Sequence, residues 1–327
     1  MRAIHQHEFG APDVLRLAEL TDPAPEAGEV LIRVRAAGVH LIDTAIRAGT
    51  TGGSFPLPEL PMVPGREVAG IVEQVGWGVD ECWIGRRVVT HLGMASGGYA
   101  ELATRDVESI HEIPDGVTDD EAVAMIGTGR TTLAILDCAA PGPLDLVLVP
   151  AAAGGIGALL VQAALAADAL VIALAGGPAK VAAARALGAH LAIDYTKPGW
   201  QDRLHAQLDG RQPTLAYDTV GGEIGRQLLE LLRPGGRFVI AGWSAGNPTS
   251  VTTADLLSRS LTVTAALGPR VTARPGGLRD LEAAALQAVA ERRLVPLVNE
   301  PIPLADAARA HADLVARRTT GKVVLRP

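Results

Sequence analysis

The sequence predicts an α/β protein in which a mostly-β part precedes a doubly wound parallel sheet. Three observations support this fold class. Short alternating strands fill the first 120 residues, continuous apolar strands alternate with helical segments after them, and a glycine-rich turn follows the first of those apolar strands. A chain of 327 residues is also longer than a domain with one hydrophobic core usually is, which suggests about two domains.

The N-terminal strands are separated by glycine and proline. Residues 30–38 alternate apolar with charged positions, as expected for a half-buried strand. Residues 68–75, 87–90 and 97–102 are similar, and we predict strands there as well. This part of the chain is therefore expected to form a mostly antiparallel β domain.

The second half changes to a strand–helix rhythm. Residues 145–150 form a continuous apolar run, which is typical of a parallel strand buried on both faces. Six strands are predicted in all, at 145–150, 170–174, 191–193, 215–218, 237–241 and 261–266. Helical segments alternate with them, which predicts the doubly wound sheet, and the tail from residue 269 adds a helix and a last strand at 322–325.

Composition excludes several classes of protein. The 29 Lys and Arg residues against 36 Asp and Glu residues give a net charge of −7, which argues against binding of nucleic acid. Two cysteines, Cys82 and Cys138, cannot build a disulfide framework or a four-thiolate zinc site. The longest apolar stretch, 146–161, is broken by proline and glycines and does not read as a membrane span, so we expect a cytoplasmic protein.

The most specific local motif is the turn after the first apolar strand. A dinucleotide-binding turn needs small residues, because the pyrophosphate approaches backbone N–H groups at a helix N-terminus. Gly154 and Gly157 occupy the second and third positions of the usual three-glycine pattern, and Ala152 replaces the first. The expected cofactor contacts in this turn are Ala153, Gly154, Gly155, Ile156 and Gly157.

The end of the second parallel strand distinguishes NAD from NADP. NAD enzymes usually carry an acidic residue there for the ribose hydroxyls. Residues 174–180 contain no acid, and Gly176 and Gly177 are followed by Lys180 near a helix start, where its charge suits a 2′-phosphate. The sequence therefore favours NADPH, although Lys180 alone reads equally well as a solvated helix residue.

Seven further motifs occur in a fixed order along nearly the whole chain. They are AGVHLID at 37–43, PGREVAG at 64–70, GGYAE at 97–101, GRTT at 129–132, DTVGG at 218–222, RPGGR at 233–237 and GKVVL at 321–325. With the glycine turn, they make the sequence resemble the medium-chain dehydrogenase/reductase superfamily, and within it the zinc-independent quinone oxidoreductases.

The resemblance implies a domain organisation. A GroES-like catalytic domain would comprise residues 1–122 and be completed by 269–327, and a Rossmann NADP-binding domain would comprise 123–268, with the active site in the cleft. The resemblance also implies a homodimer joined through the last Rossmann strand, near 261–266.

The same resemblance assigns further cofactor contacts. Lys180 and Tyr195 match positions that often contact the 2′-phosphate, and Arg317 is a candidate to join them. Thr131 matches a threonine near the nicotinamide end. The loop expected beside the nicotinamide ribose contains Gly242, Trp243 and Ser244.

A metal ion is not expected. Zinc-dependent relatives have Cys where His40 stands and His where Arg66 stands, and a guanidinium cannot act as a ligand. Residues 124–128, near the expected third ligand, contain neither Cys nor acid. A makeshift site from His40 and Glu67 is the remaining, disfavoured alternative.

His40 and Asp43 are the candidate catalytic residues. Quinone oxidoreductases usually carry Asn at the position of His40, and a His there could hydrogen-bond a substrate carbonyl or donate a proton after hydride transfer. Asp43 could orient the imidazole if the segment is helical. The alternative is that His40 is a wall residue bonded to backbone. His111, which precedes a turn, is expected at the surface.

These expectations give an NADPH-dependent, metal-free reductase of a quinone or a small α,β-unsaturated carbonyl. One alternative is an enoyl-thioester reductase with a basic entrance formed by Arg66, Arg270, Arg274 and Arg279. Another is a non-catalytic NADPH-binding structural or sensing protein. Residues 50–60, rich in glycine and proline, predict an irregular loop that shapes the substrate entrance.

Overall fold

The computed structural model describes residues 1–51, 56–93 and 96–327. The chain divides into two units, one of residues 1–127 with 282–327 and one of residues 128–281. The predicted entrance loop at 50–60 lies partly outside the described residues, since 52–55 are not among them. Among the described residues, no helix is both long and apolar enough to cross a membrane.

Short strands dominate the N-terminal segment, as the alternation predicted. The elements are β1 (Arg2–His5), β2 (Arg16–Glu19), β3 (Glu29–Val39), α1 (Leu41–Ala48), β4 (Glu67–Val75), β5 (Arg87–His91), β6 (Leu102–Asp106), β7 (His111–Glu112) and α2 (Asp119–Ala124). The predicted strand at 97–102 is wrong, because pairing along β3 starts only at Leu102 and only a single bridge, at Ala100, precedes it.

The central segment alternates helices with strands. The elements are α3 (Arg130–Cys138), β8 (Leu146–Val149), α4 (Gly155–Ala166), β9 (Leu170–Ala175), α5 (Pro178–Ala186), β10 (Leu191–Asp194), α6 (Trp200–Leu208), β11 (Leu215–Asp218), α7 (Gly222–Leu231), β12 (Arg237–Ile240), α8 (Thr253–Arg259), β13 (Thr262–Ala265), α9 (Pro269–Thr272) and α10 (Gly277–Ala290).

The tail returns to the first unit. It contains β14 (Ile302–Pro303), α11 (Ala307–Val315) and β15 (Val323–Arg326). Four short 3-10 helices and one π-helical turn complete the described elements, at Pro12–Val14, Glu81–Trp83, Val107–Ser109, Leu304–Asp306 and Met125–Gly129.

In the first unit, a seven-stranded sheet is organised around β3. The order is β14-β15-β3-β4-β5-β7, and β6 also pairs with β3. The tail strand β15 lies antiparallel to the end of β3, with Val323 opposite Val39. This pairing brings residue 322 beside residue 40, although 282 positions separate them in sequence. An aliphatic core that includes Ile32, Val68 and Leu325 packs on this sheet.

In the second unit, a parallel sheet has the order β10-β9-β8-β11-β12-β13. In terms of chain order this is 3-2-1-4-5-6, the arrangement of dinucleotide-binding sheets. Both faces of β8 are buried, since Val147 and Val149 join one apolar core and Leu146 and Leu148 join the other. Burial on two faces explains why this strand is continuously apolar.

The predicted domain bounds, 1–122 with 269–327 and 123–268, stay a prediction. The compact units of the structure change over at Gly127 and Leu281. The second unit extends to Leu281, because Val271 and Leu281 pack against Ala134 of α3. Apolar packing of α9 and the start of α10 on α3 therefore keeps residues 269–281 with the parallel sheet rather than with the returning tail.

Candidate active site and cofactor-binding edge

The glycine turn connects β8 to the N-terminus of α4. Gly154 is the N-cap residue of α4, and its backbone N–H donates to the carbonyl oxygen of Ala151 at 2.8 Å. Ala151 has a φ of 47°, in the left-handed region. The N–H of Ala152 donates to the carbonyl of Leu174 at 3.0 Å, which places the turn beside the end of β9.

Close backbone packing at Gly157 fits the requirements of a dinucleotide turn. A Cβ at this position would overlap the carbonyl oxygen of Ala151 and lie 2.8 Å from both its carbonyl carbon and the Cα of Ala152. Only glycine therefore lets α4 begin this close to the strand. Backbone N–H groups at the start of α4 then point at a shared edge, where a pyrophosphate would be held.

The loops after β9 and β10 lie at the same edge, because parallel strands end together. Gly177 has a φ of 88°, and its N–H donates to Asp194 Oδ1 at 3.0 Å. The same oxygen accepts from Thr196 Oγ1 at 2.6 Å. These hydrogen bonds, with that of Thr196 first, lower the pKa of Asp194. The carboxylate, which the sequence reasoning overlooked, thus fixes the loop that contains Gly176 and Gly177.

The other predicted cofactor residues are distributed over both units. Tyr195 follows β10, its N–H donating to Ala175 at 3.3 Å, and Lys180 is the third residue of α5. Thr131 lies in the first turn of α3, and Gly242, Trp243 and Ser244 follow β12. Arg317 differs from these residues, since it lies in the first unit, exposed, just after α11. The structure thus brings the turn, Gly176, Gly177 and Tyr195 together, and the role of Arg317 stays a prediction.

His40 lies where β3 ends and α1 begins. Its backbone N–H donates to Asp43 Oδ2 at 2.8 Å, which caps the helix. The predicted helical turn is therefore present, and the carboxylate of Asp43 contacts the backbone N–H of His40. The role of Asp43 in orienting the imidazole stays a prediction.

Two other side chains face the imidazole. Glu67, at the start of β4, places Oε1 2.6 Å from His40 Nε2 and is fully buried. Lys322, just before β15, places Nζ 2.6 Å from Glu67 Oε2 and 3.1 Å from His40 Nε2. The His40 side chain is 20% exposed, whereas that of Lys322 is 4% exposed. The imidazole is thus the accessible part of a buried charged cluster, which we call the His40 cluster.

Asp43 belongs to a second buried network behind the helix start. Its Oδ1 accepts from Arg66 Nε at 3.1 Å, and its Oδ2 accepts from the Tyr99 hydroxyl at 3.3 Å. That hydroxyl also lies 3.1 Å from Nε2 of His311. Burial lowers the pKa of His311 to about 4, with a smaller lowering effect from Arg47 and an opposing one from Asp43. The network fixes α1 and the backbone of His40.

Among the described residues, His40, Glu67 and His91 could together suggest a metal site, since their ligand atoms lie within 4.8 Å of one another. The donor set does not suit a divalent ion, however. The ammonium group of Lys322 already contacts both His40 and Glu67, so a second cation there would face a like charge at close range. Arg66 is paired with Asp43, which keeps it out of such a site.

One prediction about histidine was wrong. His111 is 9% exposed and its Nε2 lies 3.1 Å from Glu282 Oε2, because the tail helix α10 covers β7. Lys322 was not recognised as a site residue, although it lies in the GKVVL motif. Its only signal was a lysine at the start of a buried apolar strand, which requires a buried acid as partner.

Comparisons with known proteins agree with this architecture. Residues 26–115 match the alcohol dehydrogenase GroES-like domain, and residues 155–286 match the zinc-binding dehydrogenase family. A quinone oxidoreductase of Pseudomonas aeruginosa is 34% identical over 322 residues, which cover 98% of this chain and 97% of the relative. The chain belongs to the medium-chain dehydrogenase/reductase family.

Solved structures of this family have the same fold. A mycobacterial protein complexed with NADPH is 34% identical, with a TM-score of 0.86 and coverage of 100% of both chains. Escherichia coli quinone oxidoreductase complexed with NADPH is 31% identical, with a TM-score of 0.87 and the same coverage. These matches confirm the predicted fold class, a GroES-like part and a Rossmann-type sheet.

Proposed function

We propose that the protein is an NADPH-dependent, metal-free oxidoreductase that reduces a quinone or a small α,β-unsaturated carbonyl. The observation that carries the proposal is the coexistence of a dinucleotide turn with an accessible imidazole held by buried charges. Quinone oxidoreductase relatives of 30–34% identity over the whole chain, some crystallised with NADPH, support it.

Residues of the second unit would hold the cofactor. The backbone of Ala153, Gly154, Gly155, Ile156 and Gly157 offers N–H groups to the pyrophosphate at the start of α4. Lys180 and Tyr195 would bind the 2′-phosphate, and Thr131 with the loop from Gly242 to Ser244 would border the nicotinamide half. When bound, NADPH supplies the hydride that reduces the substrate.

His40 would complete the reduction. Hydride addition would leave the substrate as an anion whose charge rests largely on oxygen. The hydride and one further proton on that oxygen together give the hydroquinone, or the enol that tautomerises to the saturated carbonyl. A protonated imidazole can hydrogen-bond that oxygen and transfer its proton to it, and the neutral ring then regains a proton from solvent. The partial exposure of the ring permits this exchange.

The geometry does not favour the enoyl-thioester alternative. Its proposed basic entrance required exposed, convergent arginines, but Arg66 is buried against Asp43, and Arg274 lies 3.1 Å from Asp137 in an ion pair. Both Arg66 and Arg274 are therefore paired with a carboxylate, and neither offers an unpaired positive charge to an acyl carrier. A non-catalytic binding role would not account for the buried Glu67 and Lys322 charges that contact the imidazole of His40.

Turnover of purified protein with a panel of quinones and enones tests the proposal. We expect oxidation of NADPH with at least one quinone, unchanged after dialysis against EDTA. His40→Ala should lower kcat about 100-fold, the usual contribution of a positioned proton donor, without changing the Kd for NADPH. His7→Ala, an exposed histidine of the same unit, is the control. NADPH binding without turnover on the whole panel would overturn the proposal.

We also propose a homodimer joined through β13, the edge strand of the parallel sheet. Thr262 and Ala266 donate their N–H groups inward to Gly236 and Ile240, so the N–H of Ala265 faces the opposite side, where a second copy could pair. Ala265→Pro removes only this outward donor and should convert a dimer into a monomer in light scattering. A monomeric unaltered protein would refute the proposal. The cytoplasmic location remains a prediction from the sequence.

A further inference from the structure

Tyr99 and His311 are buried polar residues that the proposed reaction does not use directly. Both are fully buried, Tyr99 in the segment before β6 and His311 on α11. Their rings meet edge to face, with centroids 5.7 Å apart. Because a buried polar group without a partner costs free energy, each side chain must obtain its hydrogen bonds from neighbouring groups.

The backbone holds Tyr99 in one place. Its N–H donates to the carbonyl of Pro64 at 2.8 Å, and its carbonyl accepts from the N–H of Ile4 at 2.8 Å. A Cβ at Gly65 would overlap Cδ1 of the Tyr99 ring, so this glycine, with a φ of 96°, leaves the room that the ring needs. The hydroxyl therefore reaches α1 and α11 from a ring in a fixed position.

The Tyr99 hydroxyl lies between two groups and has one proton to donate. Oδ2 of Asp43 lies 3.3 Å away, and Nε2 of His311 lies 3.1 Å away. Burial, and after it the charge of Asp43, raises the pKa of Tyr99 well above its usual value, so the hydroxyl keeps its proton. The Asp43 carboxylate is held as an acceptor, because Arg66 Nε and the backbone N–H of His40 also donate to it.

The His311 ring is neutral near neutral pH, since burial lowers its pKa to about 4, and it therefore carries one proton. If Tyr99 donated to this ring, its oxygen lone pairs would face Oδ2 of Asp43. The proton of the ring would then be on Nδ1, which is buried and has no hydrogen-bond partner among the residues that the structure describes.

The opposite order of donors satisfies all three side chains better. Nε2 of His311 then donates to the Tyr99 hydroxyl, the hydroxyl donates to Asp43, and only a lone pair on Nδ1 is left without a partner. Buried N–H groups without a partner are rarer in proteins than acceptors that lack one. The hydrogen bonds therefore run from α11 to α1, and we call them the His311 chain.

The His311 chain ends at the turn that carries His40. The carboxylate of Asp43 accepts from the backbone N–H of His40 at 2.8 Å. The backbone N–H of Asp43 faces the His40 side chain, and the two contacts form the capping box of α1. Asp43 is thus attached to His40 through both its side chain and its backbone. A displaced Asp43 carboxylate would therefore move the imidazole.

We propose that His311 and Tyr99 are positioning residues that act on the imidazole of His40 through Asp43. The His311 chain holds the ring in the orientation from which it transfers its proton. The inference rests on the proposed function for that transfer. The direction of the chain is a property of the resting protein and can be measured without turnover.

Two-bond ¹H–¹⁵N correlation spectra of histidine-labelled protein measure this direction. The His311 signals are assigned by their loss in His311→Gln. We expect the neutral His311 ring to carry its proton on Nε2 in the unaltered protein. In Tyr99→Phe, which removes the acceptor of that proton, the Nδ1–H tautomer should become more populated. A ring protonated on Nδ1 in the unaltered protein, or an unchanged tautomer in Tyr99→Phe, would overturn the inference.

Turnover distinguishes a positioning role from packing alone. His311→Gln keeps an N–H donor for the Tyr99 hydroxyl and should retain kcat. His311→Leu removes the donor and should lower kcat about tenfold, because a small displacement of a catalytic group is costly. Tyr99→Phe should lower kcat by a similar factor, and the Kd for NADPH should stay constant in all three variants.

Tyr217→Phe is the matched control. It removes a buried hydroxyl that donates to the carbonyl of Ala139 at 2.6 Å in the second unit, and it should leave kcat unchanged. Equal kcat values in His311→Leu and His311→Gln would contradict the inference. If His311→Leu does not fold, the tautomer in Tyr99→Phe decides. The expected tautomers in a protein that reduces no quinone or enone would refute only the proposed function.

Discussion

The glycine turn and the His40 cluster use opposite physical means to prepare a site. The turn works by omitting side chains, so that backbone N–H groups are exposed to a ligand at the start of α4. The His40 cluster works by burying side chains, so that a carboxylate and an ammonium fix one imidazole. A site built from closely packed backbone is disrupted when a side-chain atom is added. A site built from buried charges is disrupted when one charge loses its partner.

This difference determines what each region is sensitive to. Steric change should damage the turn at every pH, because packing against Ala151 does not titrate. The buried polar region around His40 and Asp43 should instead respond to protons and to loss of a partner. Variants that separate steric from titration effects therefore test the comparison directly.

The largest effect is expected for Gly157→Ala. The new Cβ would overlap the carbonyl oxygen of Ala151, so either α4 or the turn must move away from its partner strand. We expect the Kd for NADPH to rise roughly 1000-fold, or about 4 kcal/mol, since the donors no longer converge on the pyrophosphate. Isothermal titration at several pH values would measure it.

Gly142→Ala is the matched control for this substitution. A Cβ at Gly142 would find only Asp145 Oδ2, at an ordinary 3.8 Å. The control should bind NADPH as the unaltered protein does. If Gly157→Ala binds NADPH with the affinity of the unaltered protein, the turn can accommodate a methyl group. Steric sensitivity would then not distinguish the turn from the His40 cluster.

The comparison also shows what the sequence could predict. The turn was predictable because Gly154 and Gly157 lie three positions apart in sequence, where a strand is followed by a helix. The His40 cluster was not, because Glu67 and Lys322 reach His40 only through the pairing of β3 with β4 and β15. The residues next to Lys322 in sequence do not indicate that its ammonium group contacts Glu67 in the folded protein. The same limit applies to His111, which α10 buries.

An intermediate effect is expected from His311 in the Asp43 network. Its folded-state pKa of about 4 lies below the unfolded value of about 6.5, so the unfolded chain binds more protons between these values. The stabilisation is therefore complete above pH 6.5 and is lost progressively as the pH falls toward 4. Between pH 7.5 and 5 this one group should lower the free energy of unfolding by about 2 kcal/mol.

Urea unfolding of His311→Gln across the same pH range measures this contribution. The variant should show a pH dependence shallower by about 2 kcal/mol, because glutamine does not titrate. His205→Gln, at an exposed position of α6, should leave the dependence unchanged. Equal slopes in His311→Gln and the unaltered protein would mean that His311 does not stay neutral when buried.

The smallest effect is expected for Lys180→Gln, which tests charge within the backbone-built region. Lys180 lies in the first turn of α5, beside the loop of Gly176 and Gly177 that Asp194 fixes. If it pairs with a 2′-phosphate, the Kd for NADPH should rise about tenfold, or about 1.4 kcal/mol, while the Kd for NADH stays constant. Arg185→Gln removes a like charge from the last turn of the same helix and should change neither Kd. An equal loss of affinity for NADPH and NADH would show that Lys180 acts through the packing of α5 and not through the 2′-phosphate. The cofactor would then be bound in this region by backbone groups without help from the charge of Lys180.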